Sequence, residues 1–343
     1  MHVLVTGGAG YIGSHATLRL LEDGHRVTVY DNLDRGHQAT VKILQAFGGE
    51  RYRFVRGDLL ETEALRTALA GVDAVMHFAA LAHVGESVID PFRYWSVNLG
   101  GTLSLLTAMR DAKTPRLVFS STCATYGEPP PERIPIAEDC PQAPVNPYGA
   151  SKLACERLIK DVAEAHRRNG LPFGFALLRY FNVCGSDPKA RLGEDHDPET
   201  HLIPICLEVA LGQRKELTVF GEDWDTPDGT CIRDYVHVTD LVDAHVRVLE
   251  KLAPGAELIY NVGTGQGASV REVLNACRRV TGRPVAERRG DRRPGDPPAL
   301  VNSPAKIRRE LGWTAARANL DVMIEDSWRW RKDHPHGYGG SRR

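Results

Sequence analysis

Short runs of apolar, β-branched residues alternate with amphipathic stretches through the first half of the chain. The runs fall at Val3–Thr6, Arg26–Tyr30, Tyr52–Val55, Ala74–His77 and Leu117–Ser120. Their near-continuous hydrophobicity is that of strands covered on both faces. Between them, segments around 11–23, 61–70 and 90–110 carry apolar residues at helical spacing. Strand and helix taking turns predicts a doubly wound parallel sheet over about the first 180 residues. Beyond Asn182 the pattern loosens into loops at 185–200, 221–231 and 283–304, with helices near 200–212, 268–281 and 319–332, which predicts a smaller α/β lobe. The run Leu258–Val262 resembles the earlier strands, so the chain is expected to cross between lobes. Residues 1–180 plus 235–264 are assigned to the first lobe, 181–234 plus 265–335 to the second, and 336–343 to a frayed tail.

Composition narrows the classes. With 343 residues, 42% hydrophobic and 25% charged, the chain has the make-up of a folded protein of about two domains. Lys and Arg number 43 against 44 Asp and Glu, a net charge of -1, so no global field attracts nucleic acid or an anionic membrane. Any anionic ligand must be met by placed groups. The seven cysteines form no C-x-x-C pair and read as reduced, buried thiols rather than a disulfide framework or zinc site. The first strand begins at Val3 without a basic segment and long apolar run, and no stretch approaches the ~18 apolar residues of a membrane span. A cytoplasmic protein is expected.

Gly7-Gly8-Ala9-Gly10-Tyr11-Ile12-Gly13 follows the first strand and opens a helix. Glycines there allow a tight turn and let backbone N–H groups and the positive helix end approach a pyrophosphate. Asp31 ends the second strand 18 residues after Gly13, near the spacing of an acid that binds an adenosine ribose and repels a 2′-phosphate. NAD is therefore favoured over NADP. Asp58, after the third strand, can reach the adenine edge or serve only as a turn residue. These features give the sheet a Rossmann-type reading.

Asn146 followed by Pro147 reads as a helix start, with Asn146 as N-cap. Tyr148 and Lys152, four apart, share a face of that helix. A nearby cation lowers a phenol's pKa by roughly 1–3 units, and the helix N-terminus further favours the phenolate. The pair can accept and return a proton, and Ser120-Ser121-Thr122 supplies hydroxyls at the carboxyl end of the fifth strand. Each signal alone is commonplace; in this order behind a dinucleotide loop they point to chemistry.

The chain resembles the extended short-chain dehydrogenase/reductase family, in its nucleotide-sugar epimerase branch. The resemblance runs from Val3-Leu4-Val5-Thr6-Gly7-Gly8 through Asp31-Asn32-Leu33, His77-Phe78-Ala79-Ala80, Val84-Gly85-Glu86-Ser87, Asn146-Pro147-Tyr148-Gly149, Leu178-Arg179-Tyr180-Phe181-Asn182, Asp228-Gly229-Thr230 and Arg233-Asp234-Tyr235-Val236-His237-Val238 to Arg293-Pro294-Gly295-Asp296. It implies interconversion of UDP-glucose and UDP-galactose: Tyr148, supported by Lys152 and bridged by Thr122, takes the C4 hydroxyl proton while NAD takes the hydride. The 4-keto sugar then turns over and receives the hydride on its other face. The resemblance places Gly7, Gly10, Tyr11, Ile12, Gly13, Asp31, Asn32, Asp58, Leu59, Phe78, Ala79, Ala80, Asn98, Ser120, Tyr148, Lys152 and Tyr180 at NAD. It places Asn182, Leu202, Phe220, Arg233, Arg293, Asp296 and Leu300 at the UDP-sugar, beside Thr122 and Tyr148, and implies a homodimer through helices around 90–110 and 147–168. Arg288, Arg289 and Arg292 read as a solvated charged loop.

Two positions depart from the family pattern. Ala82 stands where some members carry a pyrophosphate-binding Lys. Leu300 stands at the sugar-size gate, which is often aromatic in enzymes restricted to unsubstituted hexoses, so N-acetylhexosamines and pentoses remain alternative substrates. A 4,6-dehydratase would carry Asp-Glu after Thr122, where this chain has Cys123-Ala124; a non-catalytic NAD-binding regulator would commonly have lost Tyr148 or Lys152. His196 and His201, without H-E-x-x-H spacing or a clustered acid, read as loop histidines, and no metal is expected.

Overall fold

The computed structural model describes residues 1–293 and 296–339. Six strands come first: β1 (His2–Thr6), β2 (Arg26–Asp31), β3 (Tyr52–Arg56), β4 (Ala74–His77), β5 (Arg116–Thr122) and β6 (Gly174–Tyr180). They are followed by β7 (Asn182–Cys184), β8 (Leu217–Phe220), β9 (Ile232–His237), β10 (Glu257–Val262), β11 (Gly267–Ser269), β12 (Glu287–Gly290) and β13 (Ala299–Leu300). The chain divides into two compact units. One comprises Met1–Gly127, Pro141–Arg179 and Val242–Tyr260; the other comprises Glu128–Cys140, Tyr180–Leu241 and the chain from Asn261 onward.

The first unit is built on a seven-stranded sheet in the order β10-β6-β5-β4-β1-β2-β3. β1 runs parallel to both β2 and β4, with Val3 opposite Val27 and Ala74. The strand order reverses between β1 and β4, and a doubly wound sheet binds ligands outside the carboxyl ends of its strands at such a reversal. The glycine loop leaves β1 there, and Phe78-Ala79-Ala80 leaves β4. Leu4, Val75, Leu105, Met109, Phe119, Ile159 and Phe175 are buried in one core. At about 1.5–3 kcal/mol for each large apolar side chain removed from water, this packing fixes the strand ends that carry the site.

The helix expected around 90–110 runs as unbroken helical backbone from Pro91 to Ala112, but it is not uniform. Pro91–Tyr94 and Gly101–Ala112 flank a π-helical turn, Trp95–Gly100. That turn contains Asn98, whose side chain is bonded to the Leu81 backbone rather than directed to solvent. The helix Gln38–Gly48 escapes a reading by end signals because His37, its N-cap, makes no side-chain cap.

In the second unit β9 is the hub. Its first half pairs antiparallel with β11 and parallel with β13, and its second half pairs parallel with β7. β8 and β12 form a separate parallel pair. Helices Leu202–Ala210, Val270–Thr281 and Leu320–Asp333 contribute Cys206, Leu207, Val273, Cys277, Ile324 and Trp328 to a second core. β12 and β13 fall inside the stretch 283–304 expected to be loop. Glu287-Arg288-Arg289-Gly290 has no apolar alternation to announce a strand, and its extended form comes from pairing with β8.

The unit boundaries differ from the sequence expectation in four places, the smallest being Tyr180, which falls in the second unit. Glu128–Cys140 belongs to the second unit, tied there by the Ile136 N–H donating to the Val301 carbonyl and the Ser303 N–H donating to the Ile136 carbonyl. Residues 235–241 and 261–264 also fall in the second unit, because β9 pairs with its strands and Asp234 accepts the Thr264 and Gly265 N–H groups. The expected frayed tail is ordered as far as Gly339: the Tyr338 N–H donates to Asp195, and the Tyr338 hydroxyl accepts from the Gly193 N–H. Residues 340–343 lie outside the described residues, as do Pro294 and Gly295 of the Arg293–Asp296 motif.

Candidate active site

The glycine loop is shaped by close approach. Gly7 has φ +73°, and a Cβ on it would lie 2.5 Å from the Ala79 nitrogen; a Cβ on Gly13 would lie 2.2 Å from the Gly7 carbonyl oxygen. No side chain could occupy either place without moving backbone. The helix Tyr11–Glu22 begins at Gly10 with no side-chain cap and no acid in its first turn, leaving its N-terminal field for an anion. Asp31 braces this loop: its carboxylate accepts the Ala9 N–H at 3.0 Å and the Leu33 N–H at 2.8 Å. Burial raises the Asp31 pKa, with those two N–H groups opposing the rise. Asn32 donates to Asp58 at 2.8 Å, and the Tyr30 hydroxyl donates to the Asp58 carbonyl. The Phe78 and Ala79 N–H groups both donate to the Thr6 carbonyl, which sets Phe78, Ala79 and Ala80 beside the loop. These residues fit a dinucleotide: backbone donors at a helix end, a buried acid at the end of β2, and a cradle in which a Cβ would have no room. Ala82 is exposed and brings no charge.

The second cluster forms where β5 meets the helix Pro147–Arg168. The Asn146 side chain accepts the Gly149 N–H at 2.8 Å, with Pro147 as first helical residue, as the sequence predicts. A Cβ on Gly149 would lie 2.4 Å from the Ala124 carbonyl oxygen, so only glycine lets this helix start lie against the turn that follows Thr122. Thr122 caps that turn, its Oγ1 accepting the Ala124 N–H at 3.1 Å. A hydroxyl that accepts from the backbone still has its own proton to donate. Tyr148 and Lys152 follow on the helix, both buried. The Lys152 ammonium stands 4.3 Å from the centre of the Phe119 ring, and burial brings its pKa down to about 8.

Two of the supports around this cluster, Glu156 and His77, were not legible as site residues. Glu156, one turn beyond Lys152, accepts from the Ser121 hydroxyl at 2.5 Å and from Arg179 at 2.9 and 2.6 Å. Burial pushes its carboxyl upward, but hydrogen bonds from Arg179, Ser121 and Gln142 and the Arg179 charge hold it below the ordinary value. The i, i+4, i+8 stripe Tyr148, Lys152, Glu156 is the signal that could have exposed it. Asn98, expected at NAD, also serves the fold: it exchanges hydrogen bonds with Leu81 and donates to the Ser151 hydroxyl, which donates to the Tyr148 carbonyl. His77 bridges Thr6 and Thr102, at 2.6 and 3.1 Å, and burial lowers its pKa to about 3, so it does so as a neutral ring.

Among the residues expected at the UDP-sugar, five converge in the second unit. Arg233 lies opposite Leu300 in the β9–β13 register and 3.5 Å from Asp296. Asp296 pairs with Arg293 at 2.9 Å, and the Arg293 guanidinium sits 4.9 Å from the centre of the Phe220 ring. Asn182 lies on β7 opposite Tyr235, and Leu202 opens its helix. Arg288, Arg289 and Arg292 pair instead with Glu216, Glu222 and Asp223.

Residues 3–263 match the family described as "NAD dependent epimerase/dehydratase family". Over 348 residues the chain is 48% identical to "Probable UDP-arabinose 4-epimerase 3" of Arabidopsis thaliana, covering 99% of this chain and 83% of that protein. Over 341 residues it is 47% identical to the UDP-glucose 4-epimerase of Halalkalibacterium halodurans, covering 98% of each. Its fold matches the crystal structure of UDP-glucose-4-epimerase from Stenotrophomonas maltophila with bound NAD and formylated UDP-arabinopyranose. That match has a TM-score of 0.91 and 39% identity, and covers 98% of this chain and 99% of that one.

Proposed function

Because this chain belongs to the NAD dependent epimerase/dehydratase family, we propose that it inverts carbon 4 of a UDP-sugar and interconverts UDP-glucose and UDP-galactose. The observation that carries the reading is the joining of Thr122, Tyr148 and Lys152 by one close-packed helix start, in the same unit as the glycine loop. NAD supplies a reversible hydride acceptor when bound. The N–H groups of Tyr11, Ile12 and Gly13 in the first turn of the helix Tyr11–Glu22 would hold its pyrophosphate, and Asp31 would accept from the adenosine ribose hydroxyls. Tyr148 takes the proton from the sugar 4-hydroxyl and later returns it. Thr122 carries that proton between the sugar oxygen and Tyr148, and the Lys152 cation favours the phenolate. Arg233 and Arg293 hold the UDP diphosphate, with Asp296 orienting both guanidinium groups. Holding the substrate by its nucleotide leaves the sugar ring free to present either face, which inversion requires.

Leu300 favours a second reading, epimerisation of a UDP-pentose. It offers no aromatic face at the sugar-size gate, and the likeness to a probable UDP-arabinose 4-epimerase supports the same choice. The test is a panel of UDP-galactose, UDP-N-acetylgalactosamine and UDP-xylose given to the purified chain without added oxidant. UDP-glucose from UDP-galactose is expected; a 4-keto-6-deoxy product would sink epimerisation. Leu300→Tyr is expected to lower kcat/KM for the N-acetylated sugar more than tenfold relative to UDP-galactose, and an unchanged ratio removes Leu300 from the gate. We read the enzyme further as a cytoplasmic homodimer. Exposed Val88, Ile89, Phe92 and Leu103 on the helices around 84–112 support the dimer, and no helix among the described residues is long and apolar enough to cross a membrane.

A further inference from the structure

The loop leading into the helix Leu202–Ala210 gathers Glu194, His196, Glu199 and His201, and one ligand-type atom from each lies within 4.8 Å of all the others. Nδ1 of His196 is 3.3 Å from Glu194 Oε1 and 3.6 Å from Glu199 Oε2. Nδ1 of His201 is 3.2 Å from Glu194 Oε1 and 2.9 Å from Glu199 Oε1. Ligands held tetrahedrally at the zinc–nitrogen and zinc–oxygen distances of about 2.0–2.2 Å stand roughly 3.3–3.6 Å apart. Three of the four histidine–carboxylate distances, 3.2, 3.3 and 3.6 Å, lie close to that spacing, and Glu199 reaches the two rings through different oxygens. Both carboxylates are withdrawn from solvent, with side-chain exposures of 6% for Glu194 and 5% for Glu199. Two buried carboxylates carry a charge that one divalent cation neutralises, and the two imidazoles complete its shell.

The cage is also braced from outside. Glu199 Oε1 accepts the N–H groups of Thr200 and His201, fixing its direction. Between Glu194 and His196, Asp195 accepts the Tyr338 N–H and lies 3.7 Å from Arg331, while Gly193 exchanges hydrogen bonds with the Tyr338 hydroxyl. Such outer contacts hold first ligands at a fixed geometry. Four protein ligands leave no open position, which is the form of a structural rather than catalytic zinc site. We propose that Glu194, His196, Glu199 and His201 form a structural zinc site that fixes the loop ahead of Leu202. It is independent of the epimerase reading. The sequence hid it because the two acids sit two residues before each histidine, a spacing that matches no familiar zinc motif.

The test uses the full untagged chain, stripped by chelator dialysis and titrated with ZnCl2 against a chromophoric competitor. One Zn2+ per chain is expected to stay bound through gel filtration and to raise Tm, and Co2+ is expected to give the visible absorption of a four-coordinate site. The His196→Asn/His201→Asn variant, checked for folding by circular dichroism, should bind Zn2+ more than ~100-fold more weakly. Should that variant fail to fold, Glu199→Gln takes its place under the same expectation. Absence of stoichiometric zinc in the wild-type chain, or equal affinity in a folded variant, overturns the site and leaves the cluster as ion pairs between histidine and glutamate.

Discussion

At the scale of single residues, the proposed reaction depends on a phenol and a lysine that share a buried helix face. Replacing Tyr148 by Phe removes the proton acceptor without changing the shape that surrounds it. Turnover of UDP-galactose is expected to fall about 10²–10⁴-fold, the usual worth of a general base, while bound NAD is retained. Full activity in that variant would assign the proton to another group. Lys152 makes the pH dependence specific. Its pKa falls from 10.5 to about 8 because burial penalises the charged form. Between those values the unfolded chain binds more protons than the folded one, so the Lys152 contribution to stability rises with pH across that window. Keeping it charged at neutrality costs about 3 kcal/mol. Turnover should therefore decline along an alkaline limb centred near pH 8 even as this contribution to unfolding free energy grows. Measuring kcat and urea unfolding from pH 6 to 10 checks both signs, and Lys152→Met should abolish the stability rise and most turnover.

At the scale of elements, what matters is how the helix Pro147–Arg168 is fastened to β5 and β6. Glu156 and Arg179 form a buried ion pair, with side-chain exposures of 0% and 3%, and Ser121, Gln142 and Tyr126 complete its hydrogen bonds. Arg179→Met would strand the Glu156 carboxylate in the interior at a cost of about 3–5 kcal/mol, and Glu156→Leu added to it should recover much of that loss. A loss under about 1 kcal/mol in a urea melt of the single variant would show that the pair does not fasten the helix. Most of this architecture could be read along the chain. The first five strands and β10 are apolar runs, and the Asn-Pro start of the helix Pro147–Arg168 is a local signal that the structure repeats. The fastening was not readable: Glu156 and Arg179 lie 23 residues apart and meet only through the parallel sheet. The π-helical turn was hidden for a similar reason, since Asn98 is held by Leu81, 17 residues away. β12 was hidden because its charged residues take strand form only by pairing with β8.

At the scale of the whole molecule, the proposed reaction asks a near-neutral chain to meet two diphosphates, which it would do with two kinds of donor. N–H groups at the start of the helix Tyr11–Glu22 would serve in the first unit, and Arg233 and Arg293 would serve in the second. Neither needs a global field, which accords with a net charge of -1. The apolar surface is less balanced. Ile89 and Phe92 are 86% and 87% exposed, and Val88 and Leu103 add to them from the same stretch of helices. Water-exposed side chains of this size are a cost to a monomer and a resource for association. Burying all four against a second copy would contribute on the order of 6–12 kcal/mol before the entropy of association is subtracted. A homodimer through this surface should therefore persist at micromolar concentration, with light scattering during gel filtration reading twice the mass of one chain. Because Ile89 and Phe92 are exposed within the folded chain, Ile89→Glu/Phe92→Glu should leave the chain folded by circular dichroism while halving the measured mass. A wild-type chain that elutes at the mass of one copy, or a double variant that stays paired, would move the interface elsewhere or remove it.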